Sequence, residues 1–113
     1  RDPEMSRGLG DVYKRQIEQH YSEDISIEDI SSFCGLNRSY FSKVFRDTMG
    51  ESPQGFLLHY RMARAAQLLT ESRLPIRTIS TMVSYPNQLH FSRAFKNVYG
   101  ISPRDYRAKH FAL

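Results

Sequence analysis

The chain has one cysteine, Cys34, among 113 residues. A lone thiol forms no internal disulfide, so a reducing cytoplasm is the expected setting. No apolar run approaches the ~18 residues of a membrane span, and the N-terminus carries no signal-peptide pattern. The histidines, His20, His59, His90 and His110, have no metal-ligand spacing among themselves or with Cys34. No glycine-rich phosphate cradle and no catalytic constellation can be assembled from the sequence. The expectation is a protein that is not an enzyme and uses neither a metal nor a cofactor. Convincing period-2 alternation is also missing, which leaves an all-α fold.

What is present is a repeat. Residues 41–53 read FSKVFRDTMGESP and residues 91–103 read FSRAFKNVYGISP, with 6 of 13 positions identical in register. The basic pairs Lys43/Arg93 and Arg46/Lys96 are among the near-equivalent positions. Charge is divided unevenly. Residues 1–37 hold 4 basic and 8 acidic side chains, whereas residues 38–113 hold 12 basic and 4 acidic. That asymmetry points to an anionic partner for the second part.

Helical spacing runs through almost every segment. Val12, Tyr13, Ile17 and Tyr21 define a first helix over residues 11–21. Ser26 with Asp29 forms a capping-box start for a short helix carrying Ile27, Ile30 and Cys34, and Gly35 ends it. Asn37 opens a helix over about residues 38–49, with Phe41, Val44, Phe45 and Thr48 inward and Gly50 as its stop. Ser52-Pro53 begins a longer helix to about Thr70, with serine as cap and proline where its missing N–H costs nothing. The pattern then recurs. Ile76, Ile79 and Val83 lie on a short helix, and Ser84–Pro86 make a turn. Asn87 caps a helix carrying Phe91, Ala94, Phe95 and Val98, which stops at Gly100. Ser102-Pro103 opens the last helix, which carries Tyr106.

The two copies match at an offset of 49 through Ile27/Ile76, Ile30/Ile79 and Ser31/Ser80, and of 50 from Phe41/Phe91 onward. The extra residue falls in the turn between two helices, where insertion is best tolerated. Each copy therefore reads as a helix-turn-helix, whose second helix has a free outer face suited to a DNA major groove. In the first copy that face holds Arg38, Ser39, Ser42, Lys43 and Arg46. In the second it holds Gln88, Leu89, Ser92, Arg93 and Lys96. Arginine and lysine suit guanine or phosphate, glutamine suits adenine, and serine suits either. The connecting helix would be about 27 Å long at ~1.5 Å per residue, against roughly 34 Å between successive major-groove faces.

The stretches IEDISSFCGLNRSYFSKVFRDTMGESPQGFLLHYRMARAAQLL and IRTISTMVSYPNQLHFSRAFKNVYGISPRDYR resemble the DNA-binding domain of the AraC/XylS family of bacterial transcription regulators. RMARAAQLL resembles the family's central helix, and FSRAFKNVYGISPRDYR its C-terminal signature. The resemblance covers about residues 11–110. It implies about seven helices in two helix-turn-helix subdomains joined by a linker helix, with two reading helices in adjacent major grooves of a promoter. It places base reading at Ser39, Ser42, Lys43, Gln88, Leu89, Ser92 and Arg93. Phosphate contact is expected of Arg38, Arg46 and Lys96, and of the capping residues Asn37 and Asn87. The expected partners are double-stranded DNA and RNA polymerase, with a sensor domain joined to this one in the full-length protein.

Three departures from the family pattern stand out. Ser84-Tyr85 followed by Pro86 replaces a usual Gly-Phe turn, and a serine held at positive φ would cost on the order of 1 kcal/mol. Serine stands at 31 and 80 where alanine is usual, and Leu89-His90 replaces a polar-aromatic pair. The expected organisation is a loose tail or appended remnant at 1–10, a first subdomain at 11–52, a linker helix at 53–71 and a second subdomain at 72–113. The alternative reading is a helical protein-interaction module with a basic face.

Overall fold

The computed structural model describes residues 3–33 and 35–111. The described residues form seven helices and no strand. These are α1 (Pro3–His20), α2 (Ile27–Phe33), α3 (Arg38–Met49), α4 (Pro53–Glu71), α5 (Ile76–Met82), α6 (Gln88–Tyr99) and α7 (Pro103–His110). The all-α expectation holds. Cys34, placed by its spacing on the inner face of α2, lies outside the described residues. No helix among the described residues is long and apolar enough to cross a membrane.

One boundary differs. The segment expected to be a loose tail is helical from Pro3 onward. Proline is well suited to a first helical turn, and propagating an existing helix is far easier than nucleating one. The anchor is Tyr13 and Ile17, one turn apart and both fully buried.

The chain divides into two compact units, Arg1–Leu58 and His59–Leu113, so the boundary falls inside α4. In the first unit, α1 and α2 both pack on α3. Its core joins Tyr13, Ile17, Ile27, Ile30, Phe41, Val44, Phe45 and Leu57. Phe45 meets Phe41 and Phe56 edge-on, at centroid separations of 5.8 and 5.6 Å. In the second unit, α6 packs on α5 and α7. Met62, Ala65, Ala66 and Leu69 of α4 are buried with Ile79, Val83, Phe91 and Phe95. Phe95 also stacks on Tyr99 at 4.7 Å and meets Tyr106 edge-on at 5.3 Å. Each fully buried phenyl ring contributes about 1.5–3 kcal/mol, so these aromatic sets hold α3 and α6 firmly in place.

The caps follow the sequence closely. Ser26 and Asp29 exchange side-chain-to-backbone bonds of 3.1 Å in both directions, a complete capping box. Ser52 and Ser102 accept from Gly55 and Asp105 at 3.1 Å, each ahead of a buried proline. The second copy lacks the capping box: α5 starts after Pro75 with no side-chain cap.

Arg107 supplies a tertiary cap. Its Nε donates to the Leu69 carbonyl at 3.0 Å and its guanidinium reaches the Ser72 carbonyl at 3.3 Å. The last carbonyls of a helix have no partner within it, and here α7 provides one for the end of α4.

Candidate nucleic-acid interface

Each candidate reading helix follows a tight turn, and the two turns match bond for bond. In the first, Gly35 N–H donates to the Ser32 carbonyl at 3.0 Å and Leu36 N–H to the Ser31 carbonyl at 2.9 Å. In the second, Ser84 N–H donates to Thr81 at 3.0 Å and Tyr85 N–H to Ser80 at 2.8 Å. Gly35 and Ser84 both have positive φ, 72° and 67°. The match at offset 49 thus persists to Leu36/Tyr85. The caps Asn37 and Asn87 are already at offset 50, so Pro86 is the inserted residue.

The second turn carries an extra tie. The Ser80 hydroxyl donates to the Tyr85 carbonyl, across the turn. Ser31, its counterpart, instead donates to Glu28 within its own helix, at 3.0 Å. Both serines are buried, at 2% and 1% exposure for Ser31 and Ser80.

Asn37 accepts from Tyr40 N–H at 2.8 Å, and Asn87 accepts from Leu89 N–H at 2.9 Å and His90 N–H at 3.2 Å. Both cap through the side-chain oxygen. The amide nitrogen, a donor, faces no such demand and remains able to meet a phosphate. Both helices end on a left-handed glycine, Gly50 and Gly100, whose N–H bonds back to Arg46 and Lys96. Start and end are therefore defined, and packing on the core sets the rotation of each helix about its axis.

That rotation buries Phe41, Val44 and Phe45 on α3, and Phe91 and Phe95 on α6. The opposite faces carry the expected residues. On α3, Ser39, Lys43 and Arg46 are exposed and Ser42 is half-buried. They lie at i, i+3, i+4 and i+7, one stripe along the helix. With Arg38 and Asp47 they line an open hollow of about 660 Å³. On α6, Leu89, Arg93 and Lys96 are exposed and Ser92 is half-buried, with the same spacing. Gln88 is exposed at the helix start. Every expected site residue thus sits on the outer side of a reading helix or at its cap, in two groups, one per unit.

The cations differ in their freedom. Among the described residues, no ion pair holds Lys43, Arg46, Arg93 or Lys96. Arg38 does have a partner: it bonds Glu28 of α2 at 2.8 Å, with both side chains more than half exposed. Such a pair is worth roughly 0–1 kcal/mol, so it is easily exchanged for a phosphate. The sequence reading missed this partner, and it also omitted Asp47. The spacing from Lys43 to Asp47, one helical turn, was the available signal for the latter.

A helix-turn-helix domain family matches residues 30–109. The Msm operon regulatory protein of Streptococcus mutans is 37% identical over 94 residues, covering 83% of this chain and 34% of that protein. The chain spans about a third of the length of the curated relatives it matches. Among solved structures, the C-terminal domain of AraT, a response regulator from Geobacillus stearothermophilus, is similar with a TM-score of 0.90 and 32% identity. The likeness covers 93% of this chain and 88% of that one. The DNA-binding domain of the global transcriptional factor AdpA, solved with a target DNA, is similar with a TM-score of 0.83 and 25% identity. It covers 89% of this chain and 90% of that one.

Proposed function

This chain belongs to the AraC/XylS family of transcription regulators, as a helix-turn-helix DNA-binding domain, and on that footing we propose that α3 and α6 each enter a major groove of one promoter duplex. The observation that carries this reading is the pair of equivalent stripes, Ser39-Ser42-Lys43-Arg46 and Leu89-Ser92-Arg93-Lys96, each on the outer face of a helix capped at both ends. In this reading Ser39, Ser42 and Lys43 address base edges in one half-site, and Gln88, Leu89, Ser92 and Arg93 in the other. Arg38, Arg46 and Lys96, with the amide groups of Asn37 and Asn87, hold the phosphates and set the register. The partial positive charge at each helix start favours the same contacts.

The units divide the labour as first helix-turn-helix, linker helix α4 and second helix-turn-helix. A single chain then makes two groove contacts without needing a second copy. The role is binding, not catalysis, in keeping with a family of DNA-binding regulators. The full-length protein, in this reading, works in the cytoplasm, joins the domain to a sensor domain and acts on RNA polymerase. The lengths of the relatives support the additional domain.

Selection of sites from a random duplex library tests the reading, followed by affinity against salt for the winning site. The expected product is an asymmetric site with two short blocks about one helical turn apart, bound with a steep salt dependence. A single block would mean that only one helix reads bases. No enrichment and no salt-sensitive binding would favour a protein-binding module with a basic face.

A further inference from the structure

The two stripes match in chemistry at three of their four positions: Ser42/Ser92, Lys43/Arg93 and Arg46/Lys96. They differ at the first, where α3 has Ser39 and α6 has Leu89. Leu89 is 59% exposed, the most exposed of the large hydrophobic side chains described. It does not belong to the core, which α6 reaches through Phe91 and Phe95 on its other face. Nor is its position loose. Its own N–H is bound by Asn87, so its backbone is fixed at the second residue of the helix. Residues at the start of a reading helix are the ones that reach base edges. An isobutyl group there offers no hydrogen bond to any base edge. The one apolar feature on the floor of a major groove is the C5-methyl group of thymine.

The geometry points to Leu89 as the reader of a thymine methyl group in the half-site taken by α6. Ser39, by contrast, addresses its equivalent base pair through a hydroxyl. The half-sites then differ in kind: one contains a thymine recognised by apolar contact, and the other contains no methyl-dependent position at the matching place. This explains how two nearly identical stripes favour one orientation of the chain on the duplex, since exchanging half-sites would set Leu89 against a polar edge and leave the thymine methyl facing a hydroxyl. The inference rests on the proposed DNA-reading role of α6 and adds the base feature that it reads.

The test uses the duplex obtained by site selection. Each thymine is replaced in turn by deoxyuridine, which keeps base pairing and removes only the methyl group. At one position in one block, the replacement should weaken binding by the unchanged chain about fourfold, the worth of one buried methyl group. Leu89→Ala should remove that sensitivity, so that thymine and uracil duplexes bind alike there, while other positions keep their response. Leu89 is exposed, so this variant keeps its core. Ser39→Leu should create a new methyl-sensitive position in the other block when thymine is placed at the matching base pair. The inference is overturned if the chain binds its selected site but no uracil replacement costs affinity. It is equally overturned if the cost persists in Leu89→Ala. Failure to enrich any site overturns the DNA-reading role itself, a result distinct from both of these.

Discussion

Gly35 and Ser84 occupy the same place in two turns with equivalent hydrogen bonds, at φ 72° and 67°. Glycine adopts this backbone conformation freely, and serine does not. Ser84 is held there by the bonds around it: its own N–H to Thr81, the Tyr85 N–H to Ser80, and the Ser80 hydroxyl to the Tyr85 carbonyl. Ser84→Gly should relieve the strain and stabilise the second unit by up to about 0.5 kcal/mol, the left-handed cost less the added freedom of the unfolded chain. Urea unfolding monitored by circular dichroism would read this. A destabilised variant would mean that the serine side chain contributes more than its conformation costs.

Ser80 and Ser31 make a contrasting pair. Both are buried. Ser80→Ala removes the hydroxyl that donates to the Tyr85 carbonyl across the turn and should cost about 1–3 kcal/mol. Ser31→Ala removes a bond made within its own helix and should be close to neutral. Comparing the unfolding midpoints of the two variants settles the point; equal losses would contradict it.

The sequence made the helices legible because their signals are local. Ser26 with Asp29, Ser52-Pro53, Ser102-Pro103 and the two asparagine caps each declare an end within four residues, and the inner faces follow from phenylalanine spacing. Tertiary effects were not legible in the same way. Gly8 and Gly10 weaken the local case for helix, yet α1 extends back to Pro3 from its buried anchors. The Arg38–Glu28 pair depends on how α2 sits against α3, and the Arg107 cap joins residues 38 positions apart. The outer-face residues were readable from periodicity alone. Which of them are engaged by a neighbouring side chain was not.

Arg107 ties α7 to the end of α4 through two carbonyls. Arg107→Ala should destabilise the second unit by about 1–3 kcal/mol. Arg107→Lys should restore little of it, because an ammonium group cannot span two acceptors as the guanidinium fork does. Hydrogen exchange at the end of α4 and along α7 would report the loss; full rescue by lysine would show that charge, not the fork, matters.

Arg93 and Lys96 lie on one stripe, three residues apart, with different expected roles. Arg93→Ala should relax selectivity at one or two base pairs by ~1–3 kcal/mol, leaving non-specific binding less affected. Lys96→Ala should weaken binding to all duplexes alike and reduce the slope of log K against log salt by about 0.9. Titrating both variants against the selected site and single-base variants separates the roles. Uniform loss in both would contradict the assignment.

Glu28 holds Arg38 at 2.8 Å, with both side chains more than half exposed. If Arg38 moves to a phosphate on binding, the ion pair must open first, and Glu28 is left near an anionic backbone. Glu28→Gln removes both obstacles. DNA affinity should rise up to about fivefold at low salt, the worth of an exposed pair, and the salt dependence should steepen. The gain should shrink when Arg38→Ala is already present, because only the repulsion between Glu28 and the duplex is then left to remove. A double-mutant cycle measures this directly, since residues in contact give a coupling term that distant ones do not. Equal gains with and without Arg38 would mean that Glu28 acts only by its own repulsion of the duplex. No gain in either background would place Arg38 outside the phosphate contacts altogether.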